Sequence, residues 1–318
     1  MEPTTLLEAI KIFSAPANCH DYLVARRWPD GVTCPHCGSE NVLYQPKYNR
    51  WQCSTSHDRR QFTLKTGTVM EESPIGLDKW LPAMWLISSN RNGISSWELH
   101  RALKVTQKTA WFMLHRIRLG MQDEGHGGKL GGPGSEVQID ETFCGGKARN
   151  MHKNKRIQGG QGGSGKIIVL GALERWGKVR ATVVSDRKKK TIQPFVQANV
   201  EPGTEIHSDE HGDTWRLEND EYTHKVVNHL ETYVNGSVTT NSIENFWSLL
   251  KRGINGTYVS VEPFHLFRYV DEQAFRFNNR LPMADGERFS YLVRKIVNKR
   301  LTYAELTGKV GVRPAEAF

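Results

Sequence analysis

Apolar and polar positions alternate along the chain in two distinct rhythms. From residue 95 to 121 the spacing is helical. Ser95 and Glu98 form a capping box, with Ile94 and Leu99 placed as the hydrophobic staple. That helix runs to about Leu103, Lys104-Val105 turn the chain, and Thr106 caps a second helix. On the second helix Ala110, Leu114, Ile117 and Met121 recur on one stripe. Beyond residue 135 the period changes. EVQIDETF reads as a strand; IIVLGALER and KVRATVVS read as a hairpin over 167–173 and 178–185. TIQPFVQANV is helical, EIHSDE and HKVVNH are extended, and TTNSIENFWSLLKRG is a helix. On that last helix Ile243, Phe246, Trp247, Leu250 and Ile254 share one face. Glu244 lies at the edge of that face and shares a stripe with Lys251, while Arg252 points away. Nearer the start, VLYQ and RWQC look like two short strands joined by PKYN.

Two glycine-rich stretches interrupt this pattern. EGHGGKLGGPGS, residues 124–135, has six glycines in twelve positions and reads as a linker. The division expected is therefore a helical segment over 1–30, a Cys-rich ribbon over 31–73, a helix-turn-helix over 74–123, the linker, an α/β domain over 136–280, and a helical extension over 281–318. No run of 18 apolar residues is present, which excludes a membrane-spanning helix, and MEPTTLLEAIKIF lacks the apolar core of a secretory signal. A cytoplasmic protein is expected. The net charge is +9, and it is concentrated: residues 141–190 hold 13 Lys/Arg against 3 acids. Most of that excess lies on the second glycine-rich stretch, GGKARNMHKNKRIQGGQGGSGK, with Lys147, Arg149, Lys153, Lys155 and Arg156. A basic loop of this kind suits a phosphate backbone. The run from Arg187 to Lys190 reads equally as a solvated helix start.

Five cysteines, an odd number in a chain of this kind, point to metal ligation or isolated thiols before disulfides. Cys34 and Cys37 form a knuckle followed by Gly38; Cys53 follows after 15 intervening residues, then His57. Four soft or borderline donors at paired short spacings are what a tetrahedral structural zinc requires. The fourth donor is read as His57, with His36 close by in sequence. The helix pair that follows has the form of a major-groove reader, with Lys108, His115 and Arg116 expected on the outer face of the second helix.

The α/β part carries a constellation of acids: Asp140 on its first strand, Asp209 at the end of its fourth, and Glu244 on the late helix. Three strands, a helix, two strands and a helix, with acids at these points, is the order of the ribonuclease-H-like fold. Converging carboxylates repel one another unless they are protonated or hold cations. Oxygen donors select magnesium or manganese, and two such ions suit phosphoryl transfer. Glu141 and Glu210 flank the aspartates and are not read as ligands.

In RRWPDGVTCPHCG, RRQFTLKTGTVMEES, IDETFCGGK, SDEHGDTW, VVNHLETYV, TTNSIENFWSLLKRGINGTY and HLFRYVDEQAFRFNNR, in that order, the chain resembles bacterial insertion-sequence DDE transposases with an N-terminal zinc ribbon, the ISXO-like group of insertion-sequence family fifteen-ninety-five. The resemblance implies a metal-dependent transposase that binds the terminal inverted repeats of its element, cleaves the ends and joins the 3′-hydroxyls to target DNA. It implies Asp140, Asp209 and Glu244 as the triad holding two Mg2+ or Mn2+ ions, Lys251 as the basic residue seven after the glutamate, one structural Zn2+, and Arg252 among the DNA contacts. It also implies double-stranded DNA as partner, a homo-oligomer in the synaptic complex, and a nucleoid location. Two departures stand out: many relatives have a cysteine where His57 stands and a histidine where Thr239 stands. A DNA-binding regulator that has lost catalysis and a ribonuclease-H-like nuclease that cuts without joining are the alternative readings.

Overall fold

The computed structural model describes residues 2–123, 128–145, 165–209, 221–227 and 239–309. Two units divide the chain: residues 1–122 with 279–312, and residues 123–278. Among the described residues no helix is long and apolar enough to cross a membrane.

The first unit begins with α1 (Leu6–Phe13) and α2 (Pro16–Arg27). Proline at the first turn of α2 suits a helix start, where no amide hydrogen is needed. A three-stranded antiparallel sheet follows: β1 (Val42–Gln45), β2 (Arg50–Cys53) and β3 (Gln61–Phe62). The β1–β2 link closes through Asn49 in the left-handed region, which asparagine tolerates. This sheet is too small to bury a core of its own. It leans on α2, where His20 stacks on Trp51 at 5.6 Å and Trp28 meets Trp51 edge-on at 5.5 Å. Next come α3 (Leu77–Ser89), α4 (Ser96–Leu103) and α5 (Gln107–Met121). The expected capping box is present: the Glu98 amide donates to Ser95 Oγ at 3.2 Å and the Ser95 amide to Glu98 Oε2 at 2.8 Å. Thr106 caps α5, accepting from the Thr109 amide at 3.1 Å.

Residues 279–309 complete this unit. There α9 (Asp285–Lys295) places Phe289 among Phe13, Tyr22 and Trp85, with ring centroids 5.2 to 5.8 Å apart. The Val69 amide donates to the Ile296 carbonyl and the Asn298 amide to the Gly67 carbonyl, so the two chain segments of the unit are hydrogen-bonded together. The short α10 (Tyr303–Leu306) lies against α5, with Tyr303 5.6 Å from the Phe112 ring.

This packing changes the reading of α5. Its residues from Met113 to Met121 are buried except Leu119, which is partly exposed. His115 is fully buried and Arg116 is 5% exposed, so neither lies on an outer face. The Arg116 guanidinium donates to the carbonyls of Leu301 and Glu71, both at 2.9 Å, which compensates its burial. Lys108 does stand on the surface, its ammonium 4.6 Å above the Tyr303 ring.

The second unit is built on a five-stranded sheet. Its strands are β5 (Glu136–Cys144), β6 (Ile167–Glu174), β7 (Val179–Val184), β9 (Glu205–Asp209) and β10 (Thr223–Val227), in the order β10-β9-β5-β6-β7. β5, β6 and β7 form an antiparallel meander, while β9 and β10 run parallel to β5. Part of the expected linker belongs to this unit: β4 (Leu130–Gly131) pairs with β8 (Val200–Glu201), and Leu130 is buried. On the sheet, α6 (Lys189–Asn199) packs Ile192, Phe195 and Val196 with Val137, Ile139 and Ile206. A second cluster joins Ile243, Phe246, Trp247 and Leu250 of α7 (Asn241–Arg252) to Val169, Leu173 and Val179, and to Val270 and Phe277 of α8 (Leu266–Asn278). The apolar face read on α7 from its periodicity is thus the face it buries.

Candidate metal centre and candidate active site

The knuckle is made by backbone. Gly38, at φ 74°, lets its amide turn back to the Cys34 carbonyl at 2.8 Å, and the Cys34 amide donates to the Ser39 carbonyl at 2.9 Å. On the other side the Cys53 amide donates to the Arg60 carbonyl at 2.7 Å, which closes a loop bearing His57. Cys34, Cys37, Cys53 and His57 each offer a ligand atom, and these lie within 4.8 Å of one another. His36 is exposed and is not in the set. The distances fit a tetrahedron. With zinc bonds of about 2.3 Å to sulfur and about 2.0–2.1 Å to nitrogen, sulfurs should stand about 3.8 Å apart and sulfur and nitrogen about 3.5 Å. Cys37 Sγ and Cys53 Sγ are 3.7 Å apart, and Cys34 Sγ is 3.5 Å from His57 Nε2. Burial works to raise the Cys53 thiol, but hydrogen bonds from His57, the Thr55 backbone and the neighbouring thiols outweigh it and bring it down to about 6. A thiolate is the form that binds zinc.

The acidic site is assembled by sheet register. β5 and β9 run parallel with Gln138 opposite His207. Two residues further along, on the same face, come Asp140, in the middle of β5, and Asp209, at the end of β9. Burial first, then the carboxylates of Glu141 and Asp209, push the Asp140 carboxyl up to about 7, against the opposing hydrogen bonds from the Glu141 amide and the Trp247 indole. Those two bonds divide its oxygens: Oδ1 accepts from the Glu141 amide at 2.8 Å, and Oδ2 from Trp247 Nε1 at 3.0 Å. A half-buried pair of carboxylates held on adjacent strands is a donor set that fits a hard divalent cation.

α7 is docked over this pair at two heights. Near its start the Ile243 amide donates to Gln138 Oε1 at 3.0 Å; one turn later Trp247 reaches Asp140. The close approach depends on Gly171, which stands opposite Asp140 in the β5–β6 register. A Cβ there would lie 2.7 Å from the Trp247 ring. Glu244 is on this helix, exposed, and its Oε1 accepts from the Thr240 hydroxyl at 2.8 Å. Among the described residues, Asp140, Asp209 and Glu244 do not bring their oxygens as close together as the knuckle brings its donors. Lys251 is exposed near the far end of β5, where its charge partly offsets the burial that pushes the Cys144 thiol up to about 11. Arg252 is exposed. Glu141 points to the other face and pairs with Arg187 at 2.7 Å. Lys147, Arg149, Lys153, Lys155 and Arg156, and also Glu210, lie outside the described residues.

Sequence reasoning missed Gln138, Trp247 as a carboxylate partner, and Gly171. A signal for the last was present: a glycine inside an otherwise apolar strand marks a place where something approaches the backbone.

No solved structure matches this chain. Residues 16–58 match the transposase zinc-ribbon domain and residues 129–278 match the ISXO2-like transposase domain. The chain is 28% identical over 258 residues to an uncharacterized protein in transposable element ISH50 of Halobacterium salinarum, covering 77% of this chain and 85% of that protein. It is also 28% identical over 102 residues to an uncharacterized transposase-like protein of Haemophilus influenzae, covering 32% of this chain and 82% of that protein. The chain thus carries, in this order, a transposase zinc-ribbon domain and an ISXO2-like transposase domain.

Proposed function

We propose that the protein binds the terminal inverted repeats of an insertion sequence, hydrolyses the phosphodiester at each end, and joins the freed 3′-hydroxyls to target DNA. The observation that supports this reading is the parallel register of β5 and β9, with Gln138 opposite His207, which directs Asp140 and Asp209 toward the same end of the sheet, and the helix bearing Glu244 tied to Asp140 through Trp247. The sheet order β10-β9-β5-β6-β7, antiparallel only at β6, supports a ribonuclease-H-like catalytic domain. Asp140, Asp209 and Glu244 would hold two Mg2+ or Mn2+ ions, which supply a clamp on the attacking and leaving oxygens. Trp247 and the Glu141 amide orient the Asp140 carboxylate. Lys251 and Arg252, exposed at the end of α7, contact phosphate, as do the basic residues between 147 and 156. The knuckle holds one structural Zn2+.

For the N-terminal unit, the α4–α5 pair is a helix-turn-helix whose DNA face lies on α4 and the tip of α5. Trp97 (59% exposed), Arg101, Lys104 and Lys108 are the side chains available there. Two ends are joined together, so the working form is a homo-oligomer on double-stranded DNA, acting at the nucleoid in the cytoplasm.

Alanine at Asp140, Asp209 or Glu244 is expected to abolish strand transfer of labelled element ends while leaving end binding intact. Transfer retained in any of the three overturns the triad. Wild-type protein that binds ends and neither cuts nor joins is the element-derived regulator; one that cuts without joining is a nuclease.

A further inference from the structure

We propose that Gln138 is a positioning residue: its side-chain carbonyl caps α7 from the neighbouring strand and so sets the height of Glu244 against Asp140. This rests on the reading of Asp140, Asp209 and Glu244 as the active centre.

A helix start leaves its first amides without partners, and the residue before the helix normally supplies an oxygen to one of them. In α7 that residue is Thr240, and its side chain makes no cap. Its hydroxyl is turned instead to Glu244 Oε1. The Ile243 amide, which such a cap would serve, donates to Gln138 Oε1 at 3.0 Å, from a residue 105 positions away. The cap is therefore a tie between two elements and not a local feature of the helix. It comes from the strand that carries Asp140, two residues before it and on the same face.

Gln138 is a costly choice for this place. It is fully buried, and its Nε2 has no hydrogen-bond partner among the described residues. An apolar side chain of the same length would fill the space without an orphaned donor. What glutamine contributes is the acceptor. Its register partner His207 is also fully buried, and makes a second tie: Nδ1 accepts from the Thr239 amide at 3.5 Å. That leaves the proton on Nε2, which donates to Glu205 at 2.7 Å. The segment entering α7 is thus held by the strands that carry both aspartates. Glu244 sits between the Gln138 tie at Ile243 and the Asp140 tie at Trp247. A slip of one residue along the axis would move its carboxylate about 1.5 Å and rotate it by about 100°.

The test uses the full chain with Gln138→Met, which keeps length and volume and removes the acceptor, and Gln138→Glu, which keeps the acceptor. The first readout is amide exchange in metal-free protein, comparing 240–252 with 266–278. Gln138→Met is expected to speed exchange at the start of α7 at least tenfold and leave α8 unchanged; Gln138→Glu is expected to stay within twofold of wild type. The second is Mn2+ titration followed by electron paramagnetic resonance, where Gln138→Met should need at least tenfold more ion. Should Gln138→Met not fold, Gln138→Asn, one methylene short of the amide, takes its place with the same expectations. Wild-type exchange and wild-type Mn2+ binding in the acceptor-free variant overturn the proposal, as does equal acceleration in α7 and α8. Asp140→Asn and Glu244→Gln in the cleavage assay separate the two ideas: if they keep activity the active centre fails, whereas if they lose it and Gln138→Met binds Mn2+ normally, only the positioning role fails.

Discussion

The knuckle and the acidic sheet end are both candidate metal sites, and they are built in opposite ways. The knuckle takes all four donors from 24 consecutive residues and gathers them with turns, so that every ligand atom lies within 4.8 Å of the others. The proposed acidic site would draw its groups from Asp140, Asp209 and Glu244, across more than a hundred residues, through strand pairing and helix docking. Thiols and an imidazole can approach one another as neutral groups. Carboxylates cannot do so without cost: burial first, and then the neighbouring carboxylates of Glu141 and Asp209, push the Asp140 carboxyl up to about 7. A closed structural site can therefore be assembled by local turns, whereas an acidic one depends on buried neighbours that hold its elements against their repulsion: Gln138, Trp247 and the gap at Gly171.

The strongest test of this contrast is at the knuckle. Cys53→Ser is expected to lower zinc from about one per chain to near none and to unfold the ribbon, because a structural site of this kind contributes folding energy outright. Metal analysis and loss of the Trp51–Phe62 stack, followed by fluorescence, report it; that stack has centroids 5.8 Å apart. His57→Cys should retain zinc and His36→Ala should have no effect. A folded, zinc-free Cys53→Ser ribbon would remove the knuckle's side of the comparison.

The same difference in range explains what was legible in the amino-acid sequence. The knuckle was visible because its spacing is its geometry. The strands and the buried face of α7 were visible because alternation and the 3.6-residue period report which face is covered. They do not report by what. The stretch after Arg280 showed helical character but not that Phe289 would join Phe13, Tyr22 and Trp85. The same covering misled the reading of α5: polar His115 and Arg116 were placed outside, whereas Arg116 finds its acceptors on Leu301 and Glu71, far away in the chain. Long-range hydrogen bonds leave no period to read.

At the acidic end the next largest effect is on pH. Folding raises the Asp140 carboxyl from 3.8 to about 7, so between these values the folded metal-free chain binds more protons than the unfolded one. Its contribution is complete below about pH 4 and is lost as pH rises through about 7. Unfolding in chelator should show the domain losing stability over this window, with Asp140→Asn flattening the slope and gaining a few degrees in Tm at pH 7.5. A wild-type slope in that variant would mean the repulsion lies elsewhere. Gly171→Ala should follow, costing about 1–3 kcal/mol for an overpacked contact. Its Cβ would meet the Trp247 ring at 2.7 Å and the Ile243 side chain at 3.3 Å, both on the rigid face of a docked helix. Thermal unfolding measures the loss, and the zinc content should not change.

The last test, read from the shape of a curve and not from its height, sharpens the comparison most. Trp247→Phe keeps an aromatic side chain on the buried face of α7 but removes the indole donor to Asp140 Oδ2, together with the outer ring atoms that lie over Gly171. Hydrogen bonds to charged groups contribute about 1.5–3 kcal/mol, and here the bond opposes a larger desolvation cost. Because the indole favours the ionised carboxyl, its loss should push Asp140 higher still. The pH window over which the metal-free domain loses stability should then extend upward past about 7. Packing damage alone would lower the whole stability curve and leave its shape unchanged, so the shape is the measurement that decides. If the window stays where it is in wild type, Trp247 is a packing residue, and the register of β5 and β9 must hold the two carboxylates without help from α7. If it moves, the helix that carries Glu244 also tunes the aspartate it faces, which no local motif of the knuckle's kind could do.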